Sequence, residues 1–185
     1  MTTSKLPRPV AVIVLAAGRG TRLPGSLPKA LVECLGEPLL AHVRRAIAPL
    51  HPRESVVVVG HAREALGVWL EAHWPEAHAA VQEPQHGTGH AARVALEAIP
   101  DFRGDVVVVC ADVPQVTTDD LTELLAAHRR SAAAGTVLVG EARDAGRLGR
   151  VERGADGRVV RIVEARDATP AHAAWPRQAS HKATR

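Results

Sequence analysis

Three short stretches constrain this chain more than anything else in it: "VAVIVL" at 10–15, "SVVVVG" at 55–60 and "DVVVVC" at 105–110. Each is a continuous run of apolar, mostly β-branched residues without the alternation of a half-exposed strand. Such runs are expected where a strand is buried on both faces, the condition of a parallel sheet covered by helices on either side. A weaker run, "TVLVG" at 136–140, reads as a further strand.

Helical periodicity fills the gaps. In "GEPLLAHVRRAIAPL", Leu39, Leu40, Val43, Ile47 and Leu50 recur at helical spacing, Pro38 suits a first turn, and Pro49 and Pro52 stop the helix. "AREALGVWLEAHW" repeats the pattern with Leu66, Trp69 and Leu70, and "TGHAARVALEAIP" with Val94, Ala95, Ala98 and Ile99. "TTDDLTELLAAHRR" opens on a Thr/Asp cap with early acids and closes on cations that suit the helix dipole. Strand and helix alternate, so βαβ units and a mostly parallel sheet follow. "GRVERGADGRVVRIVE" breaks the alternation: two short alternating runs flank Ala155-Asp156-Gly157, which predicts a β-hairpin over about 149–163.

Length and composition set limits. The 185 residues suit one domain, expected to occupy 1–170. "ARDATPAHAAWPRQASHKATR" is polar and rich in alanine and proline, so 171–185 is expected to be a poorly ordered tail. Aromatic residues make up 2% of the chain, so the core must be aliphatic. A net charge of +3 mildly favours anionic ligands but does not support nucleic-acid binding, and no basic run is interleaved with aromatics. No apolar stretch reaches membrane-spanning length and the N-terminus lacks a signal-peptide core, which predicts a cytoplasmic protein with no membrane partner. Cys34 and Cys110 form no metal or redox motif and read as reduced, half-buried thiols. The oligomeric state is left open, an oligomer being compatible with everything above.

In open α/β sheets ligands bind beyond the carboxyl ends of the strands. The segment leaving the first strand, "LAAGRGTRLPGSLPK" at 15–29, is therefore the first candidate site. Gly18 and Gly20 would let the backbone take positive φ and approach an anion closely, and successive N–H groups can cradle phosphate. Arg22 and Lys29 add positive charge, and Pro28 restricts the backbone just before the lysine. The segment is neither a P-loop, since Gly-Thr-Arg replaces Gly-Lys-Ser/Thr, nor a dinucleotide fingerprint, since Leu23 stands at the third glycine position. Taken alone it favours phosphate binding, the alternative being an ordinary βα turn carrying surface cations. His86 and His90, around Gly87-Thr88-Gly89, read as polar surface or capping residues.

Asp112 follows a buried strand in "CADVP". A carboxylate is costly there unless it meets a cation, and Mg²⁺ commonly takes one or two carboxylates plus substrate phosphates. A cap or turn before Pro114 fits it too, and the other motifs favour the metal. Gln82 has the amide that can meet a donor and an acceptor on a base edge, or it is a strand-end polar residue.

These residues together resemble a known family. "LAAGRGTRLPGSLPK" is similar to the nucleotidyltransferase signature L-x-x-G-x-G-T-x-M followed by L-P-K, with Leu23 in place of Met. "QEPQHGTGHAARVAL" resembles the Gln-x-x-Gln-x-Gly-Thr-Gly-His-Ala string of bacterial N-acetylglucosamine-1-phosphate uridylyltransferases, the N-terminal halves of bifunctional enzymes. "GRLGRVERGADGRVVRIVEARDAT" resembles that family's Tyr-Gly-Arg-Val and Val-Glu-x-x-Asp-Ala-Thr stretches, with Leu148 in place of Tyr. The four motifs keep the family's order and spacing from about residue 9 to about 170.

The resemblance implies a Rossmann-like nucleotidyltransferase fold, a three-layer α/β/α sandwich, and transfer of UMP from UTP to N-acetylglucosamine 1-phosphate with release of pyrophosphate. It implies that Leu15, Ala16, Ala17 and Gly18 contact the nucleotide, with Cys110 and Ala111 beside them. Gln82, Gly87 and Thr88 would read uracil. Arg22 and Lys29 would hold phosphates, and Asp112 would bind Mg²⁺. Gly149 and Glu164 would contact the amino sugar.

The chain also departs from the family. Ala111 stands where glycine is usual, and a β-carbon there would crowd a close nucleotide. The family continues into strands carrying a sugar-binding Asn and a metal-binding Asn, then into a left-handed β-helix acetyltransferase domain. This sequence has no asparagine and none of those strands. It is therefore expected to be an incomplete domain with impaired turnover. Two alternatives stand beside the uridylyltransferase: a non-catalytic or decayed nucleotide-binding domain, and a molybdenum-cofactor cytidylyl- or guanylyltransferase-like enzyme, against which Gly87-Thr88-Gly89-His90-Ala91 and the Glu164 region argue.

Overall fold

A computed structural model describes residues 8–18, 27–60, 63–131, 133–141, 148–164, 167–169 and 178–179. Contacts divide the chain into two compact units, Met1–Thr118 and Asp119–Arg185, where the sequence placed a boundary at 170.

The first unit is built on the three valine-rich runs. They form β1 (Val10–Leu15), β4 (Glu54–Val59) and β6 (Asp105–Cys110), with β2 (Glu33–Cys34), β3 (Glu37–Pro38) and β5 (His78–Val81) between them. The main sheet has the order β5-β4-β1-β6, and its three pairings are all parallel. The register sets Ile13 beside Val56 and Val108. Successive side chains point to opposite faces, so Ala11 and Ile13 lie on one face and Val12 and Val14 on the other. All four are fully buried, as are Val56, Val57 and Val58. The central strands are thus covered on both sides, as their unbroken apolar runs predict.

The helices follow the predicted periodicity: α1 (Leu39–Ile47), α2 (Arg63–His73), α3 (Thr88–Glu97) and α4 (Thr118–Ser131). In α3, Ala91 and Ala95, with Ile99 just beyond, pack on Ala11, Ile13, Val56, Val58 and Ala80. The small alanines let this helix lie close to the strands. Ala98, expected on the same face, is exposed. In α2, Leu66 and Leu70 are buried, whereas Trp69 is half-buried and stacks on His73. In α4, Asp119 and Asp120 open the helix, and His128, Arg129 and Arg130 close it.

Two strand expectations need correction. β6 is not buried on both faces: Val106 and Val108 are exposed. They share a face with Ala11 and Ile13 but sit on the edge strand of the described sheet, beyond the strands that α3 covers. The run "TVLVG" yields only β7 (Gly140–Glu141), although Val139 is buried. Burial of an apolar residue does not require a strand ladder. Two short elements carry no sequence pattern. β2 and β3 form a hairpin around Leu35-Gly36, and the four-residue β5 buries only Ala80.

In the second unit, β8 (Arg150–Arg153) and β9 (Val159–Val163) form the predicted antiparallel hairpin, with an irregularity between Glu152 and Arg153. Within the stretch expected as a tail, β10 (Gln178–Ala179) pairs antiparallel with β7. Backbone pairing needs no apolar pattern, which is why "RQAS" gave no sign of it. Most of 171–185 lies outside the described residues. No helix among the described residues is long and apolar enough to cross a membrane.

Candidate functional site

The carboxyl ends of β1, β5 and β6 open onto one cavity of about 370 Å³, within the size range of small-molecule sites. From β1 come Leu15, Ala16, Ala17 and Gly18; from β6, Cys110, Ala111 and Asp112; from beyond β5, Gln82, Gly87 and Thr88; and from the turn after Pro28, Lys29. All eleven expected residues of the first unit that are described therefore meet in one place, although almost a hundred positions separate Leu15 from Asp112. Parallel strands explain this, because they bring every carboxyl end to the same edge of the sheet. Gly149 and Glu164, the expected sugar contacts, belong to the second unit, flanking β8 and β9. Arg22 and Gly20 lie outside the described residues.

Backbone bonds fix the walls. The Ala16 N–H donates to the Val58 carbonyl at 2.9 Å, and the Ala111 N–H to the Leu15 carbonyl at 3.0 Å. Both extend the sheet by a residue past its strands. Ala111 is buried in this wall, so its β-carbon is accommodated there. Gly18 does not take positive φ, contrary to expectation, and nothing lies within 4 Å of where its β-carbon would stand. Among the described residues its contribution is open space at the rim.

Lys29 begins a single 3₁₀ turn, Lys29–Leu31, entered through extended Pro28. Its ammonium donates to Asp112 Oδ2, with both side chains partly exposed. The positive and negative groups of the site thus face each other at one end of the cavity. Asp112 is the one carboxylate among the described lining residues, and no three His, Cys, Asp or Glu side chains among the described residues group closely enough to hold an ion. A lone carboxylate fits Mg²⁺, which takes its remaining ligands from phosphate and water, and does not fit a closed all-protein site. Beside Asp112, burial pushes the Cys110 thiol above its ordinary 9.0; the Asp112 carboxylate adds to this and Lys29 opposes it.

The other end of the cavity is built by "QEPQHGTGHA". Gln82 is buried, and its Nε2 donates to the Gly87 carbonyl at 3.0 Å and meets His90 Nδ1 at 3.2 Å. Gly87 sits at φ 89°, ψ −178°, a conformation essentially reserved for glycine, and turns the chain into α3. The N–H groups of the first α3 turn have no partner within the helix and carry the positive end of its dipole.

Three lining residues were missed by the sequence reading: Ala30, Gln85 and Ala91. Gln85 Nε2 donates to the Ala17 carbonyl at 2.6 Å and ties the two loops together. It is the second glutamine of Gln-x-x-Gln, so the motif itself carried the signal. His90 was read as surface or cap; it is half-buried and holds Gln82 instead. His86 is exposed, its ring centroid 5.3 Å from that of His90.

Comparison with known proteins places the chain in a family. The model of the MobA-like NTP transferase domain family matches residues 12–182. The bifunctional protein GlmU of Streptomyces coelicolor is 48% identical over 164 residues, covering 88% of this chain and 34% of that protein. GlmU of Thermobifida fusca is 46% identical over 166 residues, with the same two shares. The chain thus spans about a third of the length of the curated relatives it matches. Among solved structures, a UDP-glucose pyrophosphorylase complexed with UDP-glucose aligns with a TM-score of 0.73 at 15% identity, covering 95% of this chain and 75% of that one. HddC from Yersinia pseudotuberculosis aligns with a TM-score of 0.67 at 18% identity, covering 92% and 72%. At such identities these two speak for the Rossmann-like nucleotidyltransferase fold alone. The family match and the relatives at nearly half identity together place this chain in the MobA-like NTP transferase domain family, as a nucleotidyltransferase domain similar to the N-terminal third of bifunctional GlmU.

Proposed function

We propose that this domain transfers UMP from UTP to N-acetylglucosamine 1-phosphate, a step toward cell-wall precursors. One observation carries the reading. A single cavity has a cation–carboxylate pair at one end, Lys29 and Asp112, and a buried amide with a helix N-terminus at the other, Gln82 with Gly87 and Thr88. This polarity suits a nucleoside triphosphate, with phosphates at the first end and base at the second. The substrates named here are those that the motif resemblance implies.

In this reading a phosphate oxygen of the sugar phosphate attacks the α-phosphorus of UTP. The bond to the β-phosphate oxygen breaks, and pyrophosphate leaves with the electron pair. No protein nucleophile is required, so the protein's part is alignment and charge neutralisation. Lys29 holds phosphate oxygens as a mobile point charge, and Asp112 would hold Mg²⁺. When bound, the ion supplies positive charge against the phosphates. Arg22 joins Lys29 on the phosphates, and Gly149 and Glu164 of the second unit contact the sugar.

A second reading has a specific observation behind it. The matching family model is described as MobA-like, and HddC, which shares the fold, has been solved complexed with GMP-PN, which keeps a cytidylyl- or guanylyltransferase-like reading in play. Pyrophosphate release from UTP, CTP and GTP, with Mg²⁺ and N-acetylglucosamine 1-phosphate, decides between them. Release with UTP and the sugar phosphate supports the proposal. Release with only CTP or GTP selects the second reading, and nucleotide binding without release selects a non-catalytic domain.

A further inference from the structure

The Gln82 amide is wired in one sense, and the wiring starts outside the nucleotide contacts. The Gly87 carbonyl can only accept a hydrogen bond, so the atom 3.0 Å from it must be the donor Nε2. The second hydrogen of Nε2 points at His90 Nδ1, 3.2 Å away. Two donors cannot face each other, so Nδ1 presents its lone pair and the imidazole proton sits on Nε2. Both hydrogens of the amide are then spent inside the protein. Gln82 Oε1 makes no hydrogen bond among the described residues, and no buried side-chain oxygen there is left without a partner. Oε1 is therefore the open face of the amide, on a side chain that lines the cavity.

We infer that His90 is a specificity-determining positioning residue: by accepting from Gln82 Nε2 it holds Oε1 as a fixed acceptor, so the site selects a base with a ring N–H on its pairing edge. Uracil offers N3–H, and guanine offers N1–H. Cytosine offers a lone pair at N3, which would oppose Oε1 and leave that acceptor unmet once the base covers it. The inference extends the proposed function, because it concerns the base end of the same cavity. It does not depend on uracil being the base.

Two variants test it by nucleotide binding with Mg²⁺. His90→Leu keeps bulk but removes the acceptor, so one Nε2 hydrogen is released and the amide can turn. The preference of the unaltered protein for UTP or GTP over CTP should fall by about tenfold, the weight of one hydrogen bond in discrimination. His90→Asn places an amide oxygen near the Nδ1 position and should restore the preference. A structural role alone would weaken all three nucleotides together and leave their ratio unchanged, and that result overturns the inference. So does a failure of His90→Asn to restore the ratio while its melting temperature matches that of the unaltered protein. The uridylyl reading has its own readout: preference of the unaltered protein for GTP over UTP sinks that reading and leaves His90 standing if His90→Leu still relaxes selection against CTP. Equal binding of all three nucleotides by the unaltered protein overturns both.

Discussion

The two units of this chain spend their apolar residues differently. In the first, β1 and β4 hide both faces, and Ile13, Val56, Val57 and Val58 are inaccessible to water. In the second, the β8–β9 hairpin buries Val151, while Val160 and Ile162 are 63% and 45% exposed. Both contain β-branched strands, so propensity does not separate them. The first unit has a sheet with layers on two sides; the second adds to α4, with its buried Leu121, Leu125 and Ala127, only two-stranded ribbons, and a lone ribbon is marginal in water. The sheet covered on both faces and the candidate cavity therefore both lie in the first unit.

The strongest way to break that comparison is to truncate one isoleucine in each unit. Ile13→Ala leaves a hole in a closed core and should cost about 2–5 kcal/mol. Ile162→Ala, at a site already half in water, should fall within about 0.5 kcal/mol. Denaturant unfolding of both variants measures the difference, and equal losses would show that the β8–β9 hairpin is packed as closely as the sheet.

A glycine pair sharpens the contrast. A β-carbon at Gly60 would stand 2.4 Å from Gln85 Nε2 and 2.8 Å from the Ala17 carbonyl oxygen. Gly60→Ala must therefore push apart the contact that joins two walls of the cavity. It should cost about 1–3 kcal/mol, as overpacking does, and should weaken nucleotide binding as well. At Gly149 the nearest atom, the Val163 carbonyl oxygen, is 3.3 Å away, a gap that a few tenths of an ångström relieves. Gly149→Ala should be the milder change in thermal melting. The reverse order would mean that the hairpin is the more tightly built region.

How much of this was legible follows the same division. Unbroken valine runs declare burial on both sides, so β1 and β4 could be placed from sequence. That β6 stands at an edge with Val106 and Val108 exposed could not, because its run looks the same as theirs and neighbour order is not a local property. The cavity residues near the strand ends were legible through their motifs. Gly60 was not: its constraint comes from Gln85 and Ala17, far apart in sequence and joined by a contact that leaves no local pattern. His90 was misread for a similar reason, since its partner Gln82 lies across a turn that only the fold closes.

Partly exposed ion pairs offer a finer comparison. Lys29–Asp112 lies in the first unit and Arg161–Glu152 in the second, each with both partners in contact with water. Such pairs contribute about 0–1 kcal/mol to stability, so Lys29→Ala and Arg161→Ala should barely move the melting temperature. Lys29→Ala should nonetheless weaken UTP binding by about tenfold or more, since hydrogen bonds to charged groups are worth roughly 1.5–3 kcal/mol. A large loss of stability with unchanged UTP affinity would make Lys29 a structural residue.

The smallest expected effect uses the thiols. Both cysteines lie in the first unit, so alkylation reports on that unit alone. Both are half-buried, but Cys110 lines the cavity and Cys34 does not. The thiolate is the reacting form, and burial holds Cys110 in the thiol form above its ordinary 9.0. As pH rises past that value the unfolded chain gives up this proton before the folded one does. The folded state then binds more protons, and stability falls with pH over the window between the two values. Iodoacetamide should therefore modify Cys110 slowly at pH 8 and faster as pH climbs beyond 9.0, and UTP with Mg²⁺ should slow it further by filling the cavity. Cys34 serves as the internal control, its rate indifferent to nucleotide. If UTP protects Cys34 and Cys110 alike, the ligand is tightening the whole first unit; if it protects neither, the cavity beside Asp112 is not where the nucleotide goes.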